Sequence, residues 1–176
     1  MKLTKLLFAF LAMCLILTLT GCDDGGGSGN KDTDAFNSEY EAITGGSTKY
    51  VVNEIVDRTD PPISDFSTIS GGIKFKESGI QFEIHITIFL NADGKFASKE
   101  GGKIDNESIG NFEYIGTWSR DGSTITMTAT KEKDLDKGTV KDVSITYRAT
   151  ISNDESTLTD IDIHGEAGGK FIYIKQ

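Results

Sequence analysis

The stretch Gln81-Phe82-Glu83-Ile84-His85-Ile86-Thr87-Ile88-Phe89-Leu90 decides the fold. Phe82, Ile84, Ile86, Ile88 and Leu90 fall on one face of an extended chain. Gln81, Glu83, His85 and Thr87 fall on the other. A period of two with an apolar and a polar side describes a strand buried on one face only. The same grammar returns downstream. Ile125, Met127 and Ala129 alternate with Thr124, Thr126, Thr128 and Thr130, and Val143, Ile145, Tyr147, Ala149 and Ile151 alternate with Ser144, Thr146, Arg148 and Thr150. Shorter strands are expected at 50–56, 69–76, 95–99, 112–119, 158–164 and 171–175, with a bulge where the apolar phase slips between Leu158 and Ile161.

Turn chemistry joins these runs in order. Asn91-Ala92-Asp93-Gly94 and Arg120-Asp121-Gly122-Ser123 carry Asp-Gly hairpin signals, and Asn153-Asp154-Glu155-Ser156 reads as a third turn. The polar stretches Gly101–Gly110 and Glu132–Gly138 read as extended hairpin loops. Strands joined by hairpins make a meander, and one amphipathic sheet of that length covers its apolar face by curling shut. The expected fold is all-β: an antiparallel up-and-down β-barrel of about eight or nine strands over residues 33–176, with one short N-terminal helix. Phe36, Tyr40 and Ile43 recur at i, i+4 and i+7 and place that helix at Thr33–Ile43. Thr33 or Asp34 caps its start and Gly45-Gly46 ends it.

Ahead of the barrel, Lys2 and Lys5 precede an almost unbroken apolar run from Leu6 to Leu19. That run has the length of a secretory h-region and is short of the roughly 20 residues a spanning helix needs. It stops at Leu19-Thr20-Gly21-Cys22, which resembles the lipobox of bacterial lipoproteins. The resemblance implies that residues 1–21 are a signal peptide. It also implies that the Cys22 sulfur receives a diacylglyceryl group carrying palmitate-type chains, and that cleavage leaves Cys22 first. A thiolate is the side chain nucleophilic enough for that thioether. Two or more acyl chains then hold a protein on a bilayer durably. Residues 22–32 have no apolar side chain after the cysteine and read as a flexible Gly/Asp-rich tether. Cys14 leaves with the signal, so no intramolecular disulfide is expected.

A second resemblance covers residues 84–158. Phe89-Leu90-Asn91-Ala92-Asp93-Gly94-Lys95-Phe96, then Gly116-Thr117-Trp118-Ser119-Arg120-Asp121-Gly122-Ser123-Thr124-Ile125-Thr126-Met127, resembles lipocalin-like domains of bacterial lipoproteins. Tyr147–Ser152 and Ser156-Thr157-Leu158 fit the next repeat of that pattern. The resemblance implies a barrel that carries a small apolar ligand in its cavity. Trp118 is then either a plug in the core or part of the cavity lining.

Export leaves 16 basic against 27 acidic side chains, a formal charge of −11. That excess works against binding nucleic acid, which needs Lys and Arg to displace counterions from phosphates. Catalytic constellations are missing. There is no Gly-x-Ser-x-Gly elbow, and acylation consumes the last thiol. Gly45-Gly46-Ser47-Thr48-Lys49 lacks the order of a phosphate loop and reads as a helix stop. His85 and His164, with Asp160 and Asp162, would make a metal site only if their strands adjoin. The spacing reads instead as surface histidines, with the two acids marking a wet face. No catalytic residue, cofactor or metal is expected. The sequence therefore predicts a cell-envelope lipoprotein anchored through Cys22, facing the periplasm or the cell surface. Its barrel would be a non-enzymatic module for a protein partner or a small apolar ligand.

Overall fold

A computed structural model describes residues 29–57, 63–161 and 169–176. One helix, α1 (Gly29–Thr44), leads into ten antiparallel strands: β1 (Thr48–Val56), β2 (Ile63–Ile69), β3 (Gly72–Glu77), β4 (Ile80–Leu90), β5 (Lys95–Ile104), β6 (Glu107–Asp121), β7 (Thr124–Asp134), β8 (Thr139–Ile151), β9 (Thr157–Asp160) and β10 (Lys170–Lys175). From β4 to β10 each strand pairs with the next. β1 pairs with β10 on one side and with the C-terminal part of β4 on the other. Eight strands thus close a barrel. β2 and β3 form a hairpin that adds to the N-terminal half of β4, where Ile73 faces Ile84 and Glu77 faces Ile80.

The alternation decides which atoms are inside. Ile84, Ile125, Met127, Ala149, Leu158 and Tyr173 all turn inward and are nearly or wholly buried, while the Thr-rich faces of β7 and β8 look outward. Burial of these apolar side chains, at about 25 cal/mol per Å² removed from water, supplies the main driving force for closure. A second, smaller cluster lies on the outside of the wall. There Phe36 and Ile43 of α1 pack on Ala97 of β5 and Ile115 of β6, flanked by Tyr40, Phe89 and Val140. The helix runs along the barrel from one end to the other. Near its start Thr33 Oγ1 donates to the Gly138 carbonyl, and Lys133 Nζ donates to Asn37 Oδ1. At its finish Asn91 Nδ2 donates to the Ile43 carbonyl.

The two barrel ends are therefore distinct. The base end carries the C-terminus of α1 and the 91–94, 122–123 and 152–156 turns. The rim end carries the N-terminus of α1 and the turns at 78–79, 105–106 and 135–138.

Several sequence expectations need correction. The stretch Gly101–Gly110 is no extended loop: β5 and β6 run to a two-residue turn at Asp105-Asn106, both with positive φ (48° and 71°). That is the geometry of a type I′ hairpin, which Asn and Asp tolerate. The stretch Glu132–Gly138 is ladder in its first three residues, because β7 continues to Asp134, and a turn over the remaining four. Charged, Gly-rich strand ends keep backbone pairing after the apolar period fades. β2 was not expected at all, since the expected strand at 69–76 merged the end of β2 with β3. The helix starts at Gly29, four residues before Thr33, because a Gly-Asn-Lys-Asp run offers no apolar period to mark it. Asp32 in its first turn complements the helix dipole.

Candidate functional site: the barrel lumen

The inward phase of β4, β5 and β7 brings Ile86, Ile88, Phe96 and Met127 to one side of the lumen. The same phase carries polar groups inward. Ser98 and Glu100 follow Phe96 at i+2 and i+4, Tyr147 precedes Ala149 by two, and Tyr173 stands between Phe171 and Lys175 on β10. Asp160 completes the set. Its residue pairs with Ala149 and lies two beyond the fully buried Leu158, so it points into the barrel. The expectation that Asp160 marks a wet face is therefore overturned. Leu158, not Ile161, sets the phase of β9, and the strand ends before a bulge is needed.

These groups are hydrogen-bonded to one another. Tyr173 donates its hydroxyl to Asp160 Oδ2 at 3.2 Å, and the Phe171 amide donates to the same oxygen at 3.3 Å. Ser98 donates to Glu100 Oε1 at 3.1 Å. Burial pushes the Tyr173 phenol well above its usual range, and the negative charges of Asp160 and Glu100 push the same way. Tyr173 thus keeps its proton at any physiological pH and serves as a donor. The ring of Tyr147 meets that of Tyr114 edge-on at 6.5 Å.

The space between these side chains is about 30 Å³. A water occupies roughly 10–15 Å³ on this measure, so the pocket holds about two. Sites for drug-sized ligands run from about 300 Å³ upward. Large rings pack the core around it: Tyr50, Phe75 and Phe96 are each no more than 2% exposed. Ser98 beside Glu100 joins a hydroxyl to a carboxylate. None of the nine lining residues is a histidine, so that hydroxyl has no imidazole to take its proton.

Trp118 sits toward the base end, opposite Met127, and is not among the lining residues. Its indole N–H donates to the Asn91 carbonyl at 2.8 Å, and its amide donates to the Gly94 carbonyl. His85 stands on the outer face of β4. One ring nitrogen lies 2.9 Å from Glu83 Oε1 and the other 3.3 Å from the Gly71 carbonyl. No group of three or more potential metal ligands occurs among the described residues. Asp162, His164 and residues 1–28, Cys22 among them, lie outside them. No described helix is long and apolar enough to cross a membrane.

Sequence reasoning saw the apolar half of this pocket and missed the polar half. The signal was present: extending the alternation one or two steps past Phe96 and Leu158 places Ser98, Glu100 and Asp160 inside. No protein-family model matches the chain, and no curated protein matches it significantly.

Proposed function

We propose that this chain is a cell-envelope lipoprotein held on its membrane by acylated Cys22, with the barrel serving as a non-enzymatic binding module. It engages its partner through its outer surface. The observation that carries the binding mode is the small size of the lumen pocket, about 30 Å³, which suits water or a very small polar group better than a cargo. The anchor rests on the register of Lys2, Lys5, the Leu6–Leu19 run and Leu19-Thr20-Gly21-Cys22.

The test of the anchor is chemical. Cells expressing the full chain are fed an alkyne-bearing palmitate analogue and fractionated. The wild type takes up the label and sediments with membranes, while Cys22→Ser carries no label and moves to the soluble fraction. A Cys22→Ser protein that stays membrane-bound with its leader attached sinks the reading. Native mass measurement tests the binding mode: the barrel released from membranes flies without a copurified apolar molecule. A stoichiometric lipid-sized adduct that survives release would transfer the assignment to the carrier alternative.

A further inference from the structure

The two ends of the barrel differ in how their apolar residues are covered. The residues that pack on the core while staying partly exposed include Ile55, Ile80, Ile104, Phe112 and Val143. All five lie in the halves of their strands nearer the rim end. Toward the base end the same set holds Trp118 and Tyr147, which share a rung of the sheet with the buried Met127, and the Trp118 N–H is satisfied there. More of the core's partly exposed apolar residues thus lie toward the rim than toward the base.

The chain from Cys22 enters at the same end. Thr33, in the second turn of α1, bonds the Gly138 carbonyl in the 135–138 turn, so the helix begins beside the rim. Seven residues, Cys22 to Ser28, precede it. Fully extended, seven residues span at most about 25 Å. The 16-residue helix is itself about 24 Å long. To set the base end on a bilayer, the tether would have to run back along the whole helix at full stretch. To set the rim there needs no stretch at all.

We propose that the barrel stands rim-down on the membrane, with the partly exposed apolar ring of Ile80, Ile104, Phe112 and Val143 seated against the lipid headgroups and the base-end turns projecting away. This placement rests on the acylation of Cys22. The occupant of the rim is the bilayer itself, because the anchor holds that surface within reach of the ring at all times. The base-end turns at 91–94, 122–123 and 152–156 are then the part of the barrel offered to partners in solution.

Acylation occupies the only thiol left after export, so single cysteines report cleanly. Glu107→Cys and Thr139→Cys mark the rim, and Ala92→Cys and Ser123→Cys mark the base; all four positions are exposed. Each acylated full-length variant is labelled with an environment-sensitive maleimide. It is then reconstituted into phosphatidylethanolamine and phosphatidylglycerol vesicles that contain a headgroup-attached quencher. The expected result is quenching several-fold stronger at 107 and 139 than at 92 and 123. Vesicle-bound protein quenched equally at both ends, or more at the base, overturns the placement and leaves the anchor standing. Wild-type protein that fails to float with vesicles brings down the anchor and the placement together. As a second arm, Ile104→Ser with Val143→Ser, in protein that still shows the wild-type circular dichroism, lowers rim quenching; unchanged quenching counts against the apolar ring.

Discussion

Tyr173 shows how a single side chain decides the character of the lumen. Its ring completes the apolar packing around Ile86 and Met127, and its hydroxyl gives Asp160 a donor inside the barrel. Tyr173→Phe keeps the ring and removes that donor. A hydrogen bond to a charged acceptor contributes about 1.5–3 kcal/mol. A loss of that size is therefore expected in urea unfolding, and an unchanged midpoint would show that the bond is not made. Asp154 offers a test by pH. Hydrogen bonds from Ser152 and Ser156 hold its carboxyl down at about 2, against an ordinary value of about 3.9. A folded-state value below the unfolded one stabilises the turn above the unfolded value. That support is lost as pH falls from about 4 through about 2. Carbon-detected titration of the Asp154 carboxyl should give a midpoint near 2, with amide protection at Ser156 and Thr157 fading over the same window. A midpoint at the ordinary value would refute the Ser152–Asp154–Ser156 network.

At the scale of elements, legibility followed hydrophobic periodicity. β4, β7 and β8 were readable because their inner faces are apolar almost throughout, and the Asp-Gly turns at 93–94 and 121–122 were readable because glycine supplies the positive φ (83° and 59°). β2 was not. Ser64, Asp65, Phe66, Ser67 and Thr68 are all exposed, so no burial imposes a pattern on them. The Asp105-Asn106 hairpin was hidden for a different reason: its turn lacks glycine and its flanking strands are charged. Asn106 holds a φ of 71°. Asn106→Gly relieves that conformation and matches the Asp-Gly preference of a type I′ turn, and is expected to stabilise the protein by roughly 0.5 kcal/mol. A lowered melting temperature would contradict the turn assignment. The helix was placed correctly by Phe36, Tyr40 and Ile43, yet nothing in its own sequence said that these residues would meet Ala97 and Ile115 outside the barrel. Outward-facing apolar residues in β4, β5 and β6 break the alternation, and they were the clue.

For the molecule as a whole, the tight packing around the lumen pocket makes a measurable claim. Met127 is 2% exposed and lines the lumen pocket beside Phe96 and Tyr147. Met127→Ala removes packing that the neighbours recover only in part, at a cost of about 2–5 kcal/mol. The pocket, enlarged on the side lined by Ile86, Ile88 and Phe96, should also take up a small apolar probe such as benzene. The wild type should not. Benzene binding by the wild type, seen as stabilisation in thermal unfolding, would mean the lumen is already open.

The barrel closes through β1 and β4, which leaves β2 as a free margin of the sheet among the described residues. That margin is broken in the middle. Asp65 takes a left-handed φ of 50°, the β2–β3 register shifts between Ser64 and Ser67, and Lys76 clasps Asp65 at 2.7 Å. A neighbouring copy sliding alongside meets a kinked selvedge bearing a charged clasp, with no straight run of donors and acceptors to copy. Chains packed shoulder to shoulder should therefore stay separate instead of knitting into fibrils.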